Sequence, residues 1–331
     1  MTVVSPGRFV WHEVMTTDPD GAIGFYQKVI GWSLMPWDAD PNYRMFAWKD
    51  APMAGVMLLP EEARQAGAPP HWLTYISVRD VDATLAQASG LGARTLFGPM
   101  DLPTVGRIAV LADPQGATFA VFRAENAGHV TDDMTIGDFS WHELATDDWK
   151  TAWEFYKALF GWEHDHDFDM GPMGTYWMFR RAGGGRPLGG MFNRRPEIPV
   201  SNWLPYIHVK NADATAATAA RHGGRVVHGP MEVPGGDRVA QILDPQGAIF
   251  AVHSLAAAAA APAPTPKPEA AKPAPKPAAP KPPVKKPAAR KPAAKKPAAR
   301  KAPAKKPAKR PVKKAAKPKG RPVKKRPAMR R

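Results

Sequence analysis

The chain has 331 residues, 44% of them hydrophobic, which is enough for two domains with cores of their own. It contains no cysteine, so disulfides, zinc–thiolate sites and thiol nucleophiles are excluded. The net charge of +16 is unevenly spread: residues 256–331 hold 26 of the 46 Lys and Arg and a single acid, Glu269, leaving residues 1–255 at −9.

The opening stretch, "MTVVSPGRFVWHEV", has no basic region followed by an apolar run, so no secretory leader is expected in it. The run Ala256–Ala263 is too short and too weakly apolar to span a bilayer. A cytoplasmic protein without a membrane partner is expected.

Residues 9–16 alternate and read as a strand, with Trp-His-Glu at 11–13. From Asp18 the pattern turns helical, with Ala22, Phe25, Tyr26 and Val29 on one face and Gly31 closing it. "YRMFAW" (43–48) and "GVMLL" (55–59) read as strands. The order then restarts: a strand at 74–78, a helix from Asp80 to Ser89, and strands near 94–97, 107–112 and 117–122. Strand, helix and about three strands, twice over, make one domain.

That domain occurs twice. "FVWHEVMTTD" returns as "FSWHELATDD", "GFYQKVIGW" as "EFYKALFGW", "WLTYISVRDVDATLA" as "WLPYIHVKNADATAA", and "DPQGATFAVF" as "DPQGAIFAVH", at offsets of 130 or 131 residues. The expected layout is a domain at 6–125, a linker at 126–135, a second domain at 136–255 and a tail at 256–331.

The order of these motifs, appearing twice, resembles the vicinal-oxygen-chelate superfamily of glyoxalases, extradiol dioxygenases and bleomycin-resistance proteins, and its tandem glyoxalase-like branch in particular. The resemblance implies an α+β fold in which each domain is built from two βαβββ modules curved into a cup. It also implies, in metal-bearing relatives, one ligand on each of three strands. Counted from Asp18, Asp80 and Asp113, those positions are Trp11, Leu73 and Ala120; in the second copy they are Trp141, Leu204 and Ala251. None offers a lone pair to a divalent cation. No metal or other cofactor is therefore expected at the usual place.

Strand alternation sends Trp11, Glu13 and Met15 into the cup and His12 toward a covering helix; it and His142 read as structural histidines satisfied under a helix or at a sheet edge. Glu13 and Glu143 are the candidate acid/base or anchoring groups. Trp11, Tyr75 and Phe46 are expected beside the first, and Trp141, Tyr206 and Phe179 beside the second. A carboxylate among rings is desolvated and its pKa raised, unless Arg107 or Arg238 pairs with it. In the second cup, His208 and His253 replace Ser77 and Phe122 as candidate ligand-binding residues, and with Glu143 they form a possible displaced metal site. The asymmetry implies that one cup binds the main ligand or that the two bind different ligands. "DPQG" reads as a turn.

In the tail, a five-residue period carries Lys285, Lys286, Arg290, Lys291, Lys295, Lys296, Arg300, Lys301, Lys305 and Lys306. Repeated proline and the near absence of bulky apolar residues predict disorder. The Lys/Ala/Pro pattern resembles histone-H1-like tails and implies sequence-independent nucleic-acid binding and nucleoid association. Three functions remain open: a metal-independent, small-molecule-binding, glyoxalase-like protein; a lyase, isomerase or dioxygenase using Glu143, His208 and His253; and a nucleoid protein whose body is a sensor or oligomerisation platform.

Overall fold

The computed structural model describes residues 6–37, 40, 43–126 and 134–256. The basic tail and most of the expected linker lie outside the described residues.

The first repeat runs β1 (Phe9–Thr16), α1 (Pro19–Val29), β2 (Ser33–Pro36), β3 (Arg44–Trp48), β4 (Ala51–Leu58), α2 (Glu61–Gln65), β5 (His71–Ser77), α3 (Val81–Gly90), β6 (Arg94–Leu102), β7 (Gly106–Ala112) and β8 (Thr118–Ala124). The second follows with β9 (Phe139–Thr146), α4 (Trp149–Phe160), β10 (Glu163–Asp169), β11 (Thr175–Arg180), β12 (Gly189–Asn193), β13 (Asn202–His208), α5 (Ala212–Arg221), β14 (Arg225–Glu232), β15 (Arg238–Leu243) and β16 (Ile249–Ser254). Each repeat forms one eight-stranded mixed sheet, ordered β2-β3-β4-β1-β5-β8-β7-β6 and β10-β11-β12-β9-β13-β16-β15-β14. The two βαβββ modules of each repeat meet at a central antiparallel pair, β1 with β5 and β9 with β13. The fold is thus the expected α+β pair of tandem domains. Strands β2 and β10 are additional to the sequence expectation; both are exposed edges without an apolar alternation to announce them.

The four long helices, α1, α3, α4 and α5, start at side-chain caps: Asp18, Asp80, Asp148 and Asn211 each accept a backbone N–H of the first turn. Their apolar faces do not cover their own repeats alone. Phe25 and Tyr26 of α1 share a core with Phe46 and Val56 of the first sheet and with Ala216, Ile242 and Phe250 of the second repeat. The mirror core joins Phe119, Val121 and Val81 to Phe155, Tyr156, Trp162 and Trp203. Each hydrophobic core is therefore built by one module from each repeat, and the repeats cannot separate without exposing both.

The repeated motifs hold this junction together. The Tyr26 hydroxyl receives the Trp72 indole N–H at 2.8 Å and donates to Asp244 at 3.1 Å; Tyr156 does the same with Trp203 at 3.0 Å and Asp113 at 3.0 Å. The Asp of "DPQG" is more than a turn former. One oxygen of Asp113 receives the turn amides of Gln115 and Ala117, and the other receives the opposite repeat's tyrosine. Trp32 and Trp162 donate across the junction to the carbonyls of Gly137 and Gly7.

Trp-His-Glu also divides its work here. His12 and His142 meet each other, Nε2 to Nε2, at 2.7 Å, and so satisfy one another across the two repeats. Phe139 stacks on His12 and Phe9 on His142, each at 3.6 Å between ring centres. The Leu188 carbonyl can only accept, so His142 Nδ1 carries a proton and its Nε2 receives the His12 N–H. Burial, followed by the neighbouring ring, holds His12 well below the ordinary imidazole range, and burial pushes His142 down to about 3. The pair is neutral and structural.

Candidate functional site

The opposite face of each sheet carries its own cluster. In the first repeat, Leu73, Tyr75 and Ala120 lie together with Trp11 packed on them; in the second, Leu204, Tyr206 and Ala251 lie with Trp141. These clusters hold the three positions that metal-bearing relatives are expected to use for ligands. An indole whose nitrogen lone pair is in the ring, an isobutyl group and a methyl do not fit a divalent ion.

At the centre of the first cluster is Glu13, opposite Leu73 on one side and Gly55 on the other, and only 4% exposed. Tyr75 donates to its Oε1 at 3.3 Å. A second phenol, Tyr43, also bonds Glu13 and receives the Trp11 indole N–H at 2.9 Å. Burial pushes the Glu13 carboxyl up to about 7 against the pull of the two tyrosines. At neutral pH this group can therefore both hold and release a proton.

The second cup repeats the plan. Trp141 donates to Tyr176 at 2.7 Å and Tyr176 donates to Glu143 at 3.1 Å. Gln241 adds an amide that donates to Glu143 at 3.1 Å and to Tyr206 at 3.2 Å. Burial raises the Glu143 carboxyl as well, opposed by Tyr176, Tyr206, the Arg195 charge and Gln241.

A glycine makes room for each phenol. A Cβ on Gly55 would collide with the Tyr43 hydroxyl, and one on Gly190 with the Tyr176 ring. Both glycines pair directly with the carboxylate residue, Gly55 with Glu13 and Gly190 with Glu143. Tyr43 and Tyr176 were not anticipated from sequence. A lone glycine inside the strand pattern "GVM", and its counterpart in "GGM", was the available signal for a close approach.

Several sequence expectations change. Phe46 and Phe179 are fully buried on the helix side, packed against Trp32 and Trp162, because the residues alternate one place out of phase with Tyr43 and Tyr176. They do not line the cups. Arg107 pairs with Asp82 and Asp101, and Arg238 with Asp213, so neither arginine neutralises Glu13 or Glu143. His208 and His253 are neighbours on β13 and β16, with ring centres 5.8 Å apart. Glu143, however, opposes Leu204, four residues and roughly 13 Å along β13 from His208. The displaced triad does not assemble, and no group of three or more metal-capable side chains occurs among the described residues.

His253 instead sits between Asp237 at 2.9 Å and Ser140 at 3.1 Å, a Ser-His-Asp chain. Ser140 is buried and donates to the Tyr206 carbonyl at 3.3 Å, so its hydroxyl proton is committed to the backbone. His208 bonds the Thr135 carbonyl through Nδ1.

Comparison with known proteins agrees with this architecture. The family model described as Glyoxalase/Bleomycin resistance protein/Dioxygenase superfamily matches residues 8–121 and 129–252. The chain is 34% identical over 248 residues to the putative glyoxylase CFP32 of Mycobacterium bovis, covering 73% of this chain and 92% of that protein. It is 31% identical over 270 residues to the anthracycline biosynthesis protein DauV of Streptomyces sp. (strain C5), covering 77% and 96%. Among solved structures, the Mn(II)-bound glyoxalase of Novosphingobium aromaticivorans superposes with a TM-score of 0.52 at 16% identity, covering 77% of this chain and 83% of that one. A variant of homoprotocatechuate 2,3-dioxygenase from B. fuscum gives 0.54 at 16% identity, covering 77% and 74%. At such identities the likeness is one of fold.

Proposed function

The chain belongs to the Glyoxalase/Bleomycin resistance protein/Dioxygenase superfamily, and from that premise we propose that it binds small organic molecules in its cups without a metal at the family's usual site. The observation that carries the reading is the carboxyl at the centre of each face, buried at Glu13 and half-buried at Glu143, with two phenols and an indole around it. Aromatic walls select planar apolar ligands. Glu13 and Glu143 supply a polar anchor that donates when protonated and accepts when ionised. Where a ligand carries an acidic hydrogen within reach, the same group, with Glu13 poised near 7, is placed to act as a general base.

The test is calorimetric titration of the full-length protein with planar aromatic probes before and after chelator treatment, alongside elemental analysis of untreated protein. Binding that survives the chelator and weakens in the Glu13→Gln, Glu143→Gln double variant is the expected result. Stoichiometric metal together with binding that requires it would overturn the reading.

The tail supports a second activity. Residues 256–331 carry a net charge of +25 and no aromatic residue, which suits counterion release from a polyanion rather than base reading. The full chain should bind duplex DNA with an affinity that falls steeply as salt rises, and a chain ending at Leu255 should lose that binding. Equal retention of both on immobilised DNA would refute nucleic-acid and nucleoid association.

A further inference from the structure

Resting on that reading of the cups, we propose that the second cup is an organic-anion site suited to an aromatic carboxylate, while the first takes neutral, apolar rings. Strand register makes the two cups comparable position by position. Val110 opposes Ala120 and Phe97 in the first sheet; Gln241 opposes Ala251 and His228 in the second. Side chains directly opposite on an antiparallel pair share a face. Gln241 reaches Glu143 and Tyr206 in the cup, and Val110 packs in the first cup's cluster, so His228 and Phe97 share their cups' faces.

The loop after β12 supplies the cation. Gly55 and Gly190 hold matching places beside Glu13 and Glu143, and five residues beyond them lie Pro60 and Arg195. Arg195 is exposed and makes no ion pair among the described residues. Its charge acts on both Glu143 and His228, which lie on strands β9 and β14. The backbone N–H of the preceding residue, Arg194, donates to the Thr146 carbonyl at 2.7 Å, which sets Arg195 beside the end of β9, the strand that carries Glu143. Pro60, Phe97 and Val110 in the first cup against Arg195, His228 and Gln241 in the second exchange an apolar rim for one cation and two hydrogen-bonding groups.

These groups match a carboxylate on a ring. The ring meets Trp141, Tyr176 and Tyr206, and the carboxylate meets the guanidinium in a paired N–H geometry. Burial and the Arg195 charge both lower the His228 pKa, which leaves a neutral imidazole able to donate one hydrogen bond. A Glu143 whose carboxyl is raised by burial can accept a proton as the anion enters, which removes the repulsion between the two carboxylates.

The experiment uses 2-naphthoate and 2-naphthol, matched in shape and different in charge at pH 7. Each is titrated calorimetrically into the full-length protein in physiological salt, which screens the basic tail. The preference for naphthoate over naphthol is expected to fall about tenfold in Arg195→Ala, the usual scale for a charge-assisted contact. It is expected to fall in the same sense when His228→Phe and Gln241→Val are combined. Arg195 is exposed, so its removal should leave the melting temperature unchanged and the comparison interpretable. A preference unchanged in both variants would overturn the anion assignment and leave ligand binding by the cups intact. If neither probe binds at all, both this inference and the proposal beneath it fail.

Discussion

Glu13 and Glu143 occupy the same strand position, beside the same glycine and under the same pair of phenols, yet their surroundings diverge one residue further out. Glu13 has only tyrosines to oppose the cost of burial and is driven up to about 7. Around Glu143, Gln241 donates an amide N–H and Arg195 contributes a positive field. Val110 stands where Gln241 would be. The lesson is that duplication kept the polar anchor while the wall around it changed. Burial holds the Glu13 carboxyl near 7, and the second cup is better equipped to carry charge.

The largest test of that difference is the pH dependence of stability. A carboxyl raised in the folded state contributes stability that is fully present below its unfolded pKa, near 4.5, and is lost as pH rises through about 7. The shift corresponds to about 3 kcal/mol at Glu13. Glu13→Gln should match the wild type near pH 5 and exceed it at pH 9, measured as urea midpoints. Glu143→Gln should gain less, since Gln241 and Arg195 already favour the ionised form. A Glu13→Gln protein less stable than wild type at pH 9 would mean that the carboxylate is ionised and paired. Both variants should keep the acid limb, which has the opposite sign. The neutral His12–His142 pair contributes stability above the unfolded histidine value of 6.5, and that stability declines as pH falls toward 3.

A smaller loss should follow from filling the slots beneath the phenols. Gly55→Ala and Gly190→Ala each force a tyrosine off its glutamate, at a cost of about 1–3 kcal/mol for overpacking. Because each phenol also favours the ionised glutamate, the loss should be larger at pH 9 than at pH 5, whereas the glutamine variants gain at pH 9. If Gly190→Ala is neutral and its Glu143 pKa unmoved, then the phenol is not fixed by the glycine gap.

The sequence carried more of the frame than of the site. Repeats, helices and the cup-facing parity of Trp11 and Glu13 were legible because alternation and capping act over a few neighbouring residues. The partners of Glu13 were not, since Tyr43 reaches it from the segment just before β3 through a gap left by Gly55. The same holds for Asp113 and Asp244. Their turn amides are local and were readable, whereas the tyrosines of the other repeat lie 43 and 218 residues away in the chain. Phe46 shows the cost of a one-residue phase error, which moves a side chain from the cup to the core.

The finest test exchanges the single amide. Val110→Gln should bring a donor to Glu13 and lower its pKa, and Gln241→Val should remove one from Glu143 and raise its pKa, each by the worth of one hydrogen bond, about 1 kcal/mol. The carboxyl carbons of both residues can be followed by NMR titration in the same protein, so each serves as the control for the other. Because Gln241 also holds Tyr206 at 3.2 Å, its loss frees that phenol to approach Glu143 more closely, and part of the rise should be recovered. The change at Glu13 should therefore exceed the change at Glu143. If Val110→Gln leaves the Glu13 titration where it was, the amide is not what separates the two cups, and the field of Arg195 must account for the difference alone.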